Sequence, residues 1–176
     1  MTALVRTLAV TSFLAAGTVG LGACSAQTFT PAPVNATGAF TIALTNDVND
    51  CQLANWTQGN TSSGIPFDIT QNGTSVVGKV GAGAGLVMAV WLGSAQFGGT
   101  VTGSDIVLTN LSNKPAKDGT CDYNTQAKIT GTLSGDVITG NITYSYIPAN
   151  GTGGSCGFRN TCTSVQKFNG TRPPTK

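Results

Sequence analysis

Gly99-Thr100-Val101-Thr102-Gly103-Ser104-Asp105-Ile106 recurs farther along the chain as Gly131-Thr132-Leu133-Ser134-Gly135-Asp136-Val137-Ile138. Both copies follow one grammar. A run alternating apolar and polar residues meets a Gly-x pair and then alternates again, which reads as a strand, a tight turn and a returning strand. A third hairpin is expected on Asn72-Gly73, since a type I′ turn needs positive φ at both central positions. The alternation continues outward from these hairpins. Phe40, Ile42 and Leu44 point one way and Thr41, Ala43 and Thr45 the other. Ile65, Phe67 and Ile69 form a second apolar face. Ile138, Gly140, Ile142, Tyr144 and Tyr146 alternate with Val137, Thr139, Asn141, Thr143 and Ser145.

About eight such strands follow one another, mostly with no room for a crossover helix between them. The expectation is an all-β, antiparallel up-and-down meander that closes into a barrel, because closure removes both edges. Residues 39–176 would make up this single domain. The pattern resembles the eight-stranded lipocalin/avidin-type barrel in architecture. A Gly-x-Trp motif on the first strand is missing, so the resemblance carries over no functional residues.

Composition narrows the function classes. Charged residues are only 9% of the chain, against roughly 25% in an average globular domain. The net charge of +2 is dispersed, with no Lys/Arg cluster, and argues against nucleic acid. There is no His, and all 7 acids are Asp. That excludes Ser-His-Asp and Cys-His catalysis, His metal sites and Glu-based acid/base pairs. No cofactor motif stands out. The glycines of Gly81-Ala82-Gly83-Ala84-Gly85 precede an apolar run, but no Gly-Lys-Ser/Thr and no suitably spaced acid follows them. This stretch reads as a flexible connection leading into a short apolar plug or lid.

The N-terminal 1–23 segment reads as an export signal: Arg6 precedes an apolar run over residues 8–21. The run ends in Leu21-Gly22-Ala23-Cys24, which resembles the lipobox of bacterial lipoproteins. The resemblance implies that Cys24 is diacylated, palmitate being one such acyl group, and becomes the mature N-terminus. It implies a bacterial envelope location, with the outer membrane as first choice and the domain facing the periplasm or the cell surface. Two acyl chains make a stable anchor. Residues 24–38 would then be the lipidated Cys and a polar, Pro-containing tether.

A meander has a sidedness that can be worked out. If the first strand runs upward, the three tight hairpins and the tether fall at the floor. All the long loops then fall at the mouth. Five Cys less Cys24 leaves Cys51, Cys121, Cys156 and Cys162, an even number suited to disulfides in an exported protein. All four are expected at the mouth. Closure makes the first and last strands neighbours, which favours Cys51–Cys162 and leaves Cys121–Cys156. A four-thiolate zinc site is the alternative.

Three functional readings come from different classes. One is an envelope lipoprotein binding a small apolar ligand or an envelope partner at its mouth, with Trp56, Leu86, Met88 and Trp91 as the candidate surface. A second is a structural or adhesive envelope protein with a filled core and no ligand. A third is an Asp-based hydrolytic enzyme using Asp47 and Asp50, or Asp118 and Asp122. The bland explanation of those acids is turn formation.

Overall fold

In the computed structural model, residues 31–119, 121–149 and 156–174 are described. Cys24 and the expected export signal lie outside them, as do residues 150–155. The described residues form the expected closed antiparallel barrel. Its strands are β1 (Gly38–Asn49), β2 (Thr61–Asn72), β3 (Ser75–Val80), β4 (Gln96–Thr102), β5 (Asp105–Leu111), β7 (Cys121–Ser134), β8 (Val137–Pro148) and β9 (Ser164–Thr171). Each pairs with its sequence neighbour around the barrel, β5 pairing with β7, and β9 returns to β1. A ninth strand, β6 (Ala116–Asp118), stands outside the barrel wall. It forms a small hairpin with β7 where the sequence suggests only a loop.

The three floor hairpins share one turn. Thr102 pairs with Asp105 and Ser134 with Val137, leaving Gly103-Ser104 and Gly135-Asp136 as the loops. The third hairpin corrects the expectation. Asn72 pairs with Ser75, so the loop is Gly73-Thr74 rather than Asn72-Gly73. Only its first central residue, Gly73, has positive φ, at 61°. That is the type II′ pattern, which matches strand twist as well as type I′ does.

The inward faces fill the lower barrel. Phe40, Phe67, Phe97, Ile106, Leu108 and Ile138 are almost completely buried. Inward glycines make room for the rings. A Cβ on Gly78 would stand 2.5 Å from the tip of the Phe67 ring, and one on Gly131 or Gly140 would stand 2.9 Å from Phe168. Large and small side chains on facing strands thus interdigitate, as close packing of a narrow barrel requires.

The floor is sealed by chain expected to be tether. Ala36 is fully buried in the core, and Val34 packs against it. Val34 N–H donates to Gly103 O at 2.8 Å, and Ala36 N–H donates to Gln71 Oε1 at 2.6 Å. Arg172, just past β9, closes the same end. Its Nε donates to Asp136 Oδ1 at 3.0 Å and its Nη1 to Thr37 O at 2.6 Å. The guanidinium carbon lies 5.3 Å from the Phe40 ring centroid. The Arg capping the barrel floor is thus bonded to the turn before β8 and to the chain entering β1.

At the opposite end, Cys51 is bonded to Cys162 and Cys121 to Cys156, with Cα separations of 4.9 and 5.0 Å. The wider bridge spans 111 residues of sequence. On the chain-entropy model it would stabilise by about 4–5 kcal/mol. With the thiols paired, no thiolates remain at the mouth for a zinc site.

The packing of glycine against phenylalanine can be tested with a matched pair of substitutions. Gly78→Ala should lower stability by about 1–3 kcal/mol through overpacking. Gly98→Ala, where a Cβ meets nothing within 4 Å, should change it by less than about 0.5 kcal/mol. Urea unfolding of the two variants measures both values.

Candidate functional site

Two walls rise above the packed core. The first is residues 50–60, held to the barrel rim by asparagines at the end of β1. Asn49 Oδ1 accepts the Leu53 N–H at 2.8 Å, and Asn49 Nδ2 donates back to Leu53 O at 3.1 Å. Asn46 Nδ2 donates to Thr57 O at 3.2 Å. β1 runs on to Asn49, and its asparagine side chains organise the loop that follows. This fixes the segment carrying Trp56.

The second wall is a helix, α1 (Ala82–Leu92), packed against β2, β3 and β7. The glycine-rich stretch is therefore helix rather than flexible connection. Gly85 allows the first turn to sit on the end of β3, since a Cβ there would collide with Val80 O. Gly93, at φ 76°, ends the helix in the left-handed region. No side chain caps its N-terminus and no acid lies in its first turn. Local propensity for a helix this short and glycine-rich is weak, so packing on the barrel holds it.

Between the walls stands Tyr144, on β8. Its ring meets Trp56 edge-on at 6.2 Å and Trp91 at 5.2 Å, tilted by 44°. Its hydroxyl donates to Gln166 Oε1 at 2.7 Å, and Gln166 Nε2 donates to Asn46 Oδ1 at 2.7 Å. Ser164, fully buried beside them, donates to Asn49 Oδ1 at 2.9 Å and accepts the Cys51 N–H at 3.2 Å. A polar web thus links β1, β8, β9 and one disulfide beside the aromatic trio. Burial pushes the Tyr144 phenol well above its ordinary pKa of 10.0, so it stays a neutral donor.

These elements enclose a mouth cavity of about 640 Å³, within the usual size of a small-molecule site. Trp56, Met88 and Trp91 all line it, together with Tyr144, Leu44 and Gln166. Leu86, the fourth candidate, does not. It is 71% exposed on the outer side of α1, beside Val87 at 66% and Val90 at 80%. Val87 also lines the cavity, so apolar surface continues from the interior to the outer rim. Every described lining residue is uncharged.

Gln52 and Gln166 are wall residues that the sequence reading missed. The signal for Gln166 was its register. It shares the inward face of β9 with Ser164, Phe168 and Gly170, so a polar side chain there must point into the barrel.

The candidate aspartates are placed elsewhere. Asp47 pairs with Lys167 at 2.8 Å, and Asp122 lies 3.9 Å from Lys117. Asp50 is exposed in the turn after β1, and Asp118 ends β6. Asp47, Asp50 and Asp122 do not line the cavity. Among the described residues, no group of three or more His, Cys, Asp and Glu side chains could hold a metal ion.

The raised Tyr144 pKa fixes the sign of a pH effect. Below about pH 10, folded and unfolded chains both keep this proton and stability does not depend on it. Above that value the unfolded chain ionises while the fold holds the proton, so stability falls as pH rises. Tyr144→Phe should remove up to about 1.4 kcal/mol per pH unit of this alkaline slope. At pH 7 it should cost about 1–2 kcal/mol by leaving Gln166 Oε1 without its donor. Denaturant unfolding at a series of pH values between 7 and 11.5 reads both effects.

Comparison with protein-family models, with curated proteins and with solved structures finds no match to this chain.

Proposed function

We propose that this protein is a lipid-anchored lipoprotein of the bacterial cell envelope whose barrel mouth binds a small, uncharged, largely apolar ligand. The observation that carries the binding reading is the cavity walled by Trp56, Met88, Trp91 and Tyr144. Aromatic and apolar walls with a few neutral polar groups are what a ligand of that kind requires. The anchoring reading rests on Leu21-Gly22-Ala23-Cys24 at the end of the export signal. It gains support from cysteine parity. The chain has 5 Cys, and the two disulfides use four of them. Cys24 is left for another chemistry.

The arrangement suits an anchored binder. The 31–37 segment enters at the floor, where Val34 bonds to Gly103, and the cavity opens at the other end. Lipidation at Cys24 would present the mouth away from the anchoring membrane, facing the periplasm or the medium.

The exposed Leu86, Val87 and Val90 favour a second reading, in which the same end docks an envelope protein. A structural barrel without ligand remains the contrast case that the binding test must beat.

Two measurements test the proposal. In a bacterium expressing the chain with its own leader, an alkyne analogue of palmitate should label the wild type and not Cys24→Ala. The intact mass should correspond to a chain beginning at acylated Cys24; an unlabelled chain beginning elsewhere would end the anchoring reading. Native mass spectrometry of the purified protein should show a small-molecule adduct that Trp91→Ala weakens by roughly tenfold or more, the effect expected for a main aromatic contact. A bare mass at every protein concentration, with no adduct regained on adding apolar compounds, would favour the structural barrel.

A further inference from the structure

The mouth cavity does not end at α1. Beneath it lies a second void of about 20 Å³, inside the barrel. The two share Leu44, Ile65, Ala84 and Met88 as walls. Every described side chain around the lower void is apolar, Phe97, Ile142 and Phe168 among them. A void of this lining stays dry, because a water there would find no partner. Only apolar atoms can fill it. Met88 stands between the two spaces, 9% exposed. Its unbranched side chain turns about three bonds and yields to a neighbour more readily than a branched one.

The polarity changes along one line. At the rim are Gln52 and Ser62, exposed and neutral. Below them is the aromatic trio, then Met88, then the wholly apolar void. Among the described residues, no Lys, Arg or Asp lines either space; the Arg159 guanidinium lies against the Tyr123 and Tyr146 rings, 5.6 and 5.9 Å from their centroids. A carboxylate or phosphate drawn below the rim would lose hydration without gaining a counter-charge from the lining, which is costly. A neutral polar head could stay among the amides and hydroxyls of the rim. A rigid planar ring system would occupy the upper space and stop at Met88. A single flexible chain is narrow enough to pass it.

Resting on the binding reading above, we propose that the ligand class is a neutral single-chain amphiphile. Its head is held at the Gln52 rim, and its chain end displaces Met88 to fill the apolar void beneath α1. Met88 is then a specificity-determining residue that sets how deep a chain can reach.

The chain has two Trp, and both line the cavity, so intrinsic fluorescence reports on this site. The full chain, held in amphipol to avoid free detergent, would be titrated with three probes. These are 1-monoacylglycerols of eight to sixteen acyl carbons, fatty acids of the same lengths at pH 8, and pyrene as a planar apolar control. Monoacylglycerol affinity should rise by up to about fourfold per added methylene, the value of burying one CH₂, and then level off when the void is full. Each should exceed its matched fatty acid by roughly tenfold or more. Met88→Phe should move the plateau to shorter chains, and Met88→Leu, branched and stiffer, should move it the same way by less. Chain-length dependence in the wild type is informative even if Met88→Phe fails to fold. Pyrene binding without monoacylglycerol binding, or an affinity independent of chain length, would overturn the chain inference and leave the binding reading intact. Equal affinity for the fatty acids would overturn the neutral head. No binding of any probe would overturn both readings.

Discussion

The seam between β1 and β9 is the constraint on which everything else depends. A meander left open exposes two strand edges, and an interior this apolar would face water along the gap. The seam is paired from Thr41↔Thr171 to Asn49↔Ser164, with a register shift after Asn46. It is also locked at both ends. At the floor, Arg172 follows β9 and donates to Thr37 O, just before β1. At the mouth, Cys51 follows β1 and is bonded to Cys162, just before β9. Strands far apart in sequence are thereby held at two points in space. The chain between them has little freedom to open.

Closure also divides the interior. Phenylalanines set against glycines fill the lower barrel, and the same seam brings Asn46, Asn49, Ser164 and Gln166 together above them. Those four side chains, with Tyr144, form a satisfied polar web rather than a scatter of buried polar atoms. Buried polar groups are tolerated when each finds a partner, and a complete web is rigid. The web holds the loop bearing Trp56 at a defined distance from α1. The cavity is therefore a consequence of where packing stops and hydrogen bonding begins.

The low charge of the chain takes on meaning in this setting. Two oppositely charged pairs on the wall, Lys167 with Asp47 and Lys117 with Asp122, involve partly or largely exposed side chains. Such pairs contribute little to stability. The buried Arg172 is the exception, and it works at the floor, away from the cavity. The described lining of the cavity is left to aromatic, aliphatic, amide and hydroxyl groups, a surface suited to neutral ligands.

Much of the fold was legible in the residues themselves. Two-residue alternation marked the strands, because side chains on a strand point to opposite faces whatever surrounds them. The Gly-x pairs marked the floor turns, because positive φ is cheap only for glycine. Cysteine parity and barrel closure together singled out the disulfide pairing. All of these are local or covalent properties, or follow from topology alone. Other features depended on which side chains meet in space. The stretch beginning at Gly81 is a helix because the barrel end holds it, and Ala36 is core because the floor would otherwise be open. The interior is nearly filled below Met88, save a void of about 20 Å³, and hollow above it because the volumes of residues on eight different strands must balance at each level. Gln166 belongs to the candidate site because its strand register aims it inward beside Tyr144. Volume and long-range contact are sums over distant residues, and only the tertiary structure carries them out.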